Sequence, residues 1–131
     1  MINSSVYDYV DALGRAADAS WYRNEVIANN IANIDTPNYK RHDVSFEGEL
    51  KRALGWSQYE SMDSKVSGLK KYGNLAKTYV DHANYSYRVD GNNVDIDTEN
   101  VMLAENQIYY RGVMSSLQEE FANMKAAMAG P

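Results

Sequence analysis

The sequence predicts a mainly α-helical fold in which two long terminal helices pack as an antiparallel, coiled-coil-like hairpin. Three observations predict it: an apolar heptad near each end, an abrupt stop after the first heptad, and a middle segment without heptads. We therefore divide the chain into an N-terminal helix and turn motif (1–38), a variable middle segment (39–96) and a C-terminal helix (97–131). The two terminal helices are expected to form one packing domain.

The N-terminal heptad predicts a helix from about Ser5 to Asn33. At 1.5 Å per residue this helix would be roughly 40 Å long, too long to be buried against a small domain, so it needs a partner. Ser20 and Asn24 interrupt the apolar seam and are expected to fix its register against neighbouring subunits. The apolar residues expected at the assembly interface are Val6, Val10, Leu13, Ile27, Ile31 and Ile34.

The C-terminal heptad predicts a second helix from Glu99 to about Met128. Asp97 and Thr98 are candidate N-cap residues, because their side-chain oxygens can accept hydrogen bonds from the first turn. Gln107 is the polar residue on this seam. The residues expected at the assembly interface are Leu103, Tyr110, Met114, Leu117, Phe121 and Met124.

A turn motif, NNIANIDTPNYKR, ends the first helix. Pro37 cannot continue a helix, and Asn38 is well suited to a left-handed turn position. The side chains of Asn30, Asn33 and Thr36 are expected to bond backbone groups that the helix end leaves without a partner. The full motif comprises Asn30, Ala32, Asn33, Thr36, Pro37, Asn38 and Tyr39.

The middle segment has weaker signals. A short helix is predicted within 44–54, and glycine and serine residues indicate a loop from Gly55 onward. Apolar and polar residues alternate over 85–89 and again over 94–96, on either side of a turn at 90–93, which predicts a small β-hairpin. An isolated two-stranded hairpin is only marginally stable, so it must pack against the helices or a neighbour.

Composition excludes several classes of protein. The 131 residues carry a net charge of −5 without a basic stripe, which argues against nucleic-acid binding. The absence of cysteine excludes disulfides and thiolate metal sites. No apolar run is long enough for a membrane span, and residues 1–20 lack the pattern of a cleavable signal peptide. Taken alone, these features favour the cytoplasm and exclude direct membrane insertion.

The sequence carries no recognisable catalytic or metal motif. Asp90 begins an acidic stretch, but Val94 and Val101 stand where a calcium loop requires ligands. His42 and His82 are forty positions apart, and the serines lack the nucleophile-elbow context. We therefore expect no cofactor, no metal and no enzymatic activity. The competing enzymatic hypothesis is a hydrolase of cell-wall glycan that uses two carboxylates as acid and base.

The two ends of the chain resemble the bacterial flagellar basal-body rod proteins. The resemblance lies in VIANNIANIDTPNYKRHDVSFEGEL and NNVDIDTENVMLAENQIYYRGVMSSLQEEF, which together cover about half of the chain. Within the first segment, the family's Asn-x-Ala-Asn pattern is at 30–33, and Thr36, Pro37, Tyr39 and Lys40 follow it. Asn38 stands where the family usually has glycine. The length and spacing are most similar to the proximal members.

The resemblance implies a structural subunit that assembles helically through its terminal helices, forming the drive shaft and the wall of the export channel. Its implied partners are other copies of itself, other rod proteins, the rod-base adaptor, the inner-membrane ring and the flagellar type III export apparatus. Its implied location is the basal body, reached without a cleavable signal peptide, which replaces the cytoplasmic prediction. Phe46 and Leu50 resemble a short export-gate element. The alternative is a soluble helical-hairpin adaptor or scaffold, complete as a monomer or dimer.

Overall fold

The fold is a long helical hairpin with a small two-stranded sheet and two short helices packed beside it. A computed structural model describes residues 5–54, 61–69, 76–81 and 88–130. The elements in chain order are α1 (Ser5–Ala32), β1 (His42–Ser45), α2 (Glu47–Leu54), α3 (Met62–Gly68), β2 (Lys77–Val80) and α4 (Ile96–Ala129). The predicted mainly α-helical class, with two long terminal helices packed together, is confirmed.

A polar cluster fixes the register between α1 and α4. Asn106 is buried, and its Nδ2 donates to the Ser20 carbonyl oxygen at 2.8 Å and to Asn24 Oδ1 at 2.8 Å. The Ser20 hydroxyl in turn donates to Asn106 Oδ1 at 3.1 Å. The expectation that Ser20 and Asn24 serve a neighbouring subunit is therefore wrong. Gln107 was predicted to lie on the seam but is exposed, and the buried side-chain amide between the two helices belongs to the adjacent Asn106.

The core lies where α1 meets both α4 and the middle segment. α1 contributes small side chains, which let the other elements approach its backbone closely. Phe46, directly before α2, and Leu69, directly after α3, belong to this core. Val113 joins them from α4. The buried cluster consists of Ala16, Ala17, Ala19, Phe46, Leu69 and Val113.

The small sheet lies at a different place from the predicted hairpin. β1 and β2 pair antiparallel, with His42 opposite Val80 and Ser45 opposite Lys77. Tyr85 and Tyr87 lie outside the described residues. Val94 is in no strand, because its N–H donates to Asn92 Oδ1 at 2.8 Å, and Ile96 is already the first residue of α4. The alternation around 94–96 therefore reflects one buried side chain followed by a helix start.

Two further boundaries differ from the sequence prediction. The N-cap of α4 is Asp95, whose side chain accepts from the Asp97 N–H at 3.1 Å and from the Thr98 hydroxyl at 2.7 Å. Asp97 and Thr98 are thus partners of the cap rather than the cap itself. The region predicted as loop contains α3, whose N-cap Ser61 accepts from the Ser64 N–H at 3.3 Å.

Replacing Asn106 with alanine should destabilise the hairpin by about 2 kcal/mol, because the buried polar atoms of Ser20 and Asn24 lose their partner. Urea unfolding followed by circular dichroism measures this change. Gln107→Ala is the matched control, since the neighbouring amide is exposed. Equal unfolding midpoints for the two variants would contradict a register fixed by Asn106.

Candidate functional site

The helix-end motif closes with a tight turn. The Tyr39 N–H donates to the Thr36 carbonyl oxygen at 3.3 Å across Pro37 and Asn38. Asn38 has φ of 60°, the left-handed conformation predicted from the sequence. Proline at the second position and a left-handed residue at the third are typical of a type II turn. The turn directs the chain from the end of α1 back toward β1.

Asn92 binds the carbonyl groups that the end of α1 leaves without helical partners. Its Nδ2 lies 2.9 Å from each of three carbonyl oxygens, those of Asn33, Ile34 and Thr36. Asn92 is 1% exposed, so its buried amide lies against these carbonyls in place of water. The Asn33 and Thr36 carbonyl oxygens also accept the N–H groups of Thr36 and Tyr39, at 3.0 and 3.3 Å. Sequence reasoning assigned Asn92 to a hairpin turn and missed this role, since the carbonyls it binds are 56–59 positions away.

A second turn packs against the first and requires glycine. The Asn38 N–H donates to the Asp90 carbonyl oxygen at 2.8 Å, and Lys40 Nζ donates to the Gly91 carbonyl oxygen at 2.6 Å. Gly91 has φ of 75°, and a Cβ at this position would lie 2.8 Å from Asn38 Oδ1. A side chain at Gly91 would therefore both strain the backbone and separate the two turns.

Asn33 and Thr36 stabilise the helix end locally. Asn33 Nδ2 donates to the Asn29 carbonyl oxygen at 2.8 Å. This carbonyl also accepts the Asn33 N–H at 3.1 Å, so the side chain adds a second bond to it and does not bind an otherwise unpaired backbone group. The Thr36 hydroxyl donates to Asn33 Oδ1 at 3.1 Å, so it orients that side chain and not a backbone group. Ala32 is the last residue of α1, and its side chain is exposed.

Asn30 connects three elements and does not cap the helix as predicted. Its Nδ2 donates to the His42 carbonyl oxygen at 2.7 Å, and its Oδ1 accepts from the His42 N–H at 2.9 Å. The same Nδ2 lies 3.0 Å from Glu99 Oε2, and the Tyr39 hydroxyl lies 3.3 Å from Oδ1. With 0% exposure, this amide joins α1 to the start of β1 and to the first turn of α4.

Glu99 and Arg41 form a buried ion pair at the same place. Arg41 Nε donates to Glu99 Oε1 at 2.8 Å, and Nη1 donates to Asp81 Oδ2 at 3.0 Å. Burial alone would lower the pKa of Arg41, but the hydrogen bonds to Glu99 and Asp81 outweigh it and raise the pKa. The guanidinium therefore stays charged and holds β1, the end of β2 and α4 together.

Asp43 extends the network to the middle of α1. Arg23 Nε and Nη2 donate to its two oxygens at 2.8 and 3.1 Å, a bidentate pair. Arg41 Nη2 lies 3.6 Å from Asp43 Oδ2. Burial would raise the pKa of Asp43, but the hydrogen bonds from Arg23 and the Val44 N–H and the two guanidinium charges lower it. Asp43 is consequently ionised whenever the fold is intact near neutral pH.

The network is suited to fixing conformation. The carboxylates of Asp43, Asp81 and Glu99 each accept from a guanidinium, so their oxygens are occupied by fixed donors. Among the described residues, no group of three or more His, Asp or Glu side chains could hold a metal ion. In the same part of the chain, no helix is both long and apolar enough to cross a membrane. His42 is the first residue of β1, and His82 lies outside the described residues.

The predicted assembly residues differ in exposure. Ile27 is fully buried inside the subunit, whereas Phe121 is 52% exposed. Val6 lies within α1, but its side chain is outside the described part of the chain. The others are partly buried: Val10, Leu13, Ile31, Ile34, Leu103, Tyr110, Met114, Leu117 and Met124. Their role in assembly stays a prediction.

The proposed export-gate pair packs inside the subunit. Phe46 is 7% exposed and belongs to the buried core cluster, and Leu50 packs against that cluster. The Leu50 N–H donates to the Phe46 carbonyl oxygen at 2.8 Å, so α2 continues directly from Phe46. In the folded subunit the two side chains stabilise the core.

Comparison with known proteins places this architecture in a family. A model described as flagella basal body rod protein matches residues 14–40, which include most of α1 and the turn motif. The flagellar basal body rod protein FlgB of Bacillus subtilis is 33% identical over 99% of this chain and 97% of its own length. The chain belongs to the FlgB family.

Other members of the FlgB family show similar coverage. FlgB of Borrelia hermsii is 41% identical over 77% of this chain and 81% of its own length. FlgB of Escherichia coli K12 is 32% identical over 78% of this chain and 79% of its own length. The FlgB family is a family of structural rod proteins of the flagellum.

Asn92→Asp should destabilise the protein more than Asn92→Ala, because carboxylate oxygens would then face three carbonyl oxygens in a buried site. We expect losses of about 2 kcal/mol for alanine and more for aspartate, measured by urea unfolding at pH 7. Asn100→Asp adds the same charge at an exposed position of α4 and serves as the control. Equal effects of Asp and Ala at position 92 would contradict this role.

Acid should weaken the fold through Asp43. Because its pKa is lower in the folded than in the unfolded chain, its stabilisation is complete above the ordinary carboxyl pKa of about 4. It is lost as pH falls through the lowered value. Asp43→Asn should cost about 1–3 kcal/mol at pH 7 and flatten the loss of stability below about pH 4. Glu119→Gln, at an exposed position, is the control, and identical pH profiles of both variants would refute the role of Asp43.

Proposed function

We propose that the chain is a rod subunit that assembles helically with other copies of itself and with other rod proteins. Its terminal helices supply the contacts, and together the subunits form the drive shaft and the wall of the export channel. Its further partners are the rod-base adaptor, the inner-membrane ring and the type III export apparatus. The subunit reaches the basal body without a cleavable signal peptide.

The observation that carries the proposal is the apolar surface that α4 leaves uncovered. Val101 and Ile108 are 58% and 72% exposed, and Phe121 and Met128 are 52% and 71% exposed. Each pair is separated by seven positions, so its members project from the same side of the helix. Single exposed apolar residues are ordinary, but two heptad pairs on one helix favour contact with further helices.

The end of α4 supports the same role. Every residue from Lys125 to Gly130 is exposed, although the segment remains helical up to Ala129. Long helices gain most of their stability from tertiary packing. This last part of α4, with Met128 on its surface, is therefore suited to packing against a neighbouring subunit.

Phe121→Asp should abolish motility while leaving the subunit folded, because it adds a charge to an exposed apolar surface and not to the core. Asn123→Asp is the matched control, with the same added charge at an exposed position two residues away. The measurement is swimming in soft agar of the source bacterium lacking its own copy of the gene, with circular dichroism of the purified variants. Full swimming by Phe121→Asp would contradict assembly through α4 and favour the adaptor alternative.

A further inference from the structure

The two long helices leave an open groove of about 450 Å³ on one side of the hairpin. Its apolar lining is Val10 from α1 and Leu117 and Phe121 from α4, and Gly14 leaves space between them. Asp11 and Asp18, both exposed, flank Gly14 on α1 at intervals of three and four positions. Arg15 also lines the groove, and its Nη1 donates to the Leu69 carbonyl oxygen at 3.0 Å. The groove therefore offers an apolar surface whose α1 side carries two carboxylates and one guanidinium.

A surface of matching chemistry lies elsewhere on the same chain. Ile108 is 72% exposed on α4, and Arg111 and Gly112 follow it by three and four positions on the same exposed face. Within the described residues, the side chains of Asp11, Asp18 and Arg111 form no ion pair. The groove has a net negative charge from Asp11, Asp18 and Arg15. On the Ile108 surface, Arg111 follows Ile108 by three positions and the exposed Glu105 precedes it by three.

Two glycines give an independent indication of close approach. Gly14 and Gly112 lie inside long helices, where glycine is less favourable than alanine. A Cβ added at either position would meet nothing within 4 Å, so packing within the subunit does not require glycine there. One glycine lies in the acidic groove and the other beside Ile108. Both positions allow the backbone of another helix to come close.

We propose that this groove binds the Ile108–Gly112 surface of α4 from a second copy of the chain. Ile108 then packs against Val10 and Phe121, and Arg111 pairs with Asp11 and Asp18. The inference rests on the proposed rod function and names its subunit contact. The groove and the Ile108 surface are different patches, so the contact is heterologous. Repeated from copy to copy, it builds a ring or an open helix and not a closed two-fold dimer.

Thiol cross-linking between two separately purified variants tests the contact, because the natural chain has no cysteine. Phe121→Cys and Ile108→Cys chains are mixed and treated with a short bis-maleimide. The expected result is a mixed dimer in at least about fivefold higher yield than with Phe121→Cys and Ser116→Cys. Ser116 is exposed, two turns further along α4 and about 80° around it from Ile108. Equal yields, no product, or equally strong dimers from Phe121→Cys alone would overturn the proposal.

Charge reversal gives the matched second test. Adding Arg111→Glu to the Ile108→Cys chain should reduce the mixed dimer several-fold, and Lys125→Glu on the same helix should not. Adding Asp11→Arg and Asp18→Arg to the Phe121→Cys chain should then restore cross-linking to the Arg111→Glu chain. Reduction without restoration would overturn the ion pair between copies.

Gly14→Gln separates the contact from the stability of the subunit. Within the subunit the new side chain has open space and a better helix propensity, so the Tm should not fall. In the groove it occupies the space of the partner helix, so cross-linking between Phe121→Cys and Ile108→Cys chains should fall several-fold. Unchanged cross-linking would overturn the close approach at Gly14.

Motility distinguishes failure of this contact from failure of the rod function. If Phe121→Asp stops swimming while the cross-links fail and Arg111→Glu swims normally, the rod role stands and this contact is wrong. If Phe121→Asp also swims normally, both proposals are wrong.

Discussion

The buried ion pair between Arg41 and Glu99 is the interaction on which the rest of the structure depends. Neither charge is tolerable alone in its surroundings, because Glu99 is fully buried and Arg41 is largely so. Their pairing therefore requires β1 and the first turn of α4 to be in place together. Asn30 adds the end of α1 through its bonds to Glu99 and to the His42 backbone. The position of each terminal helix is thus set at one point, where the turn motif meets both.

The two ends of the hairpin are held by different kinds of interaction. Near the turn motif the contacts are charged or amide hydrogen bonds, including those of Asn92 to the end of α1. Along the middle the contacts are small apolar residues and the Ser20–Asn106 pair. Toward Phe121 and the end of α4 the packing becomes open, and apolar side chains are exposed. The packing is closed near the turn motif and open toward the end of α4.

Periodicity predicted both long helices, since the apolar pattern of a helix is a local property of the sequence. Periodicity chose Gln107 instead of Asn106 as the polar residue on the α4 seam. Only the contacts of Asn106 with Ser20 and Asn24, 82–86 positions away, distinguish the two neighbours. Asn92 was assigned to a turn and Glu99 to the start of a helix, without their buried partners, for the same reason. The strands were missed because each has four residues, and every side chain of β2 is exposed, so no alternation of burial marks it. The left-handed turn at Asn38 was predictable because its cause, proline followed by asparagine, is contained in the turn itself.

The long sequence separation of these contacts has a consequence for folding. Ser20 meets Asn106, and Asn30 meets Glu99 at a separation of 69 positions, so neither helix can be fixed until most of the chain is present. Closing so large a loop costs entropy before the contacts between the two helices offset it. A partial chain without α4 lacks Asn106 and Glu99 and cannot make these contacts. The pairing of the two long helices therefore has to wait until both ends of the chain can meet.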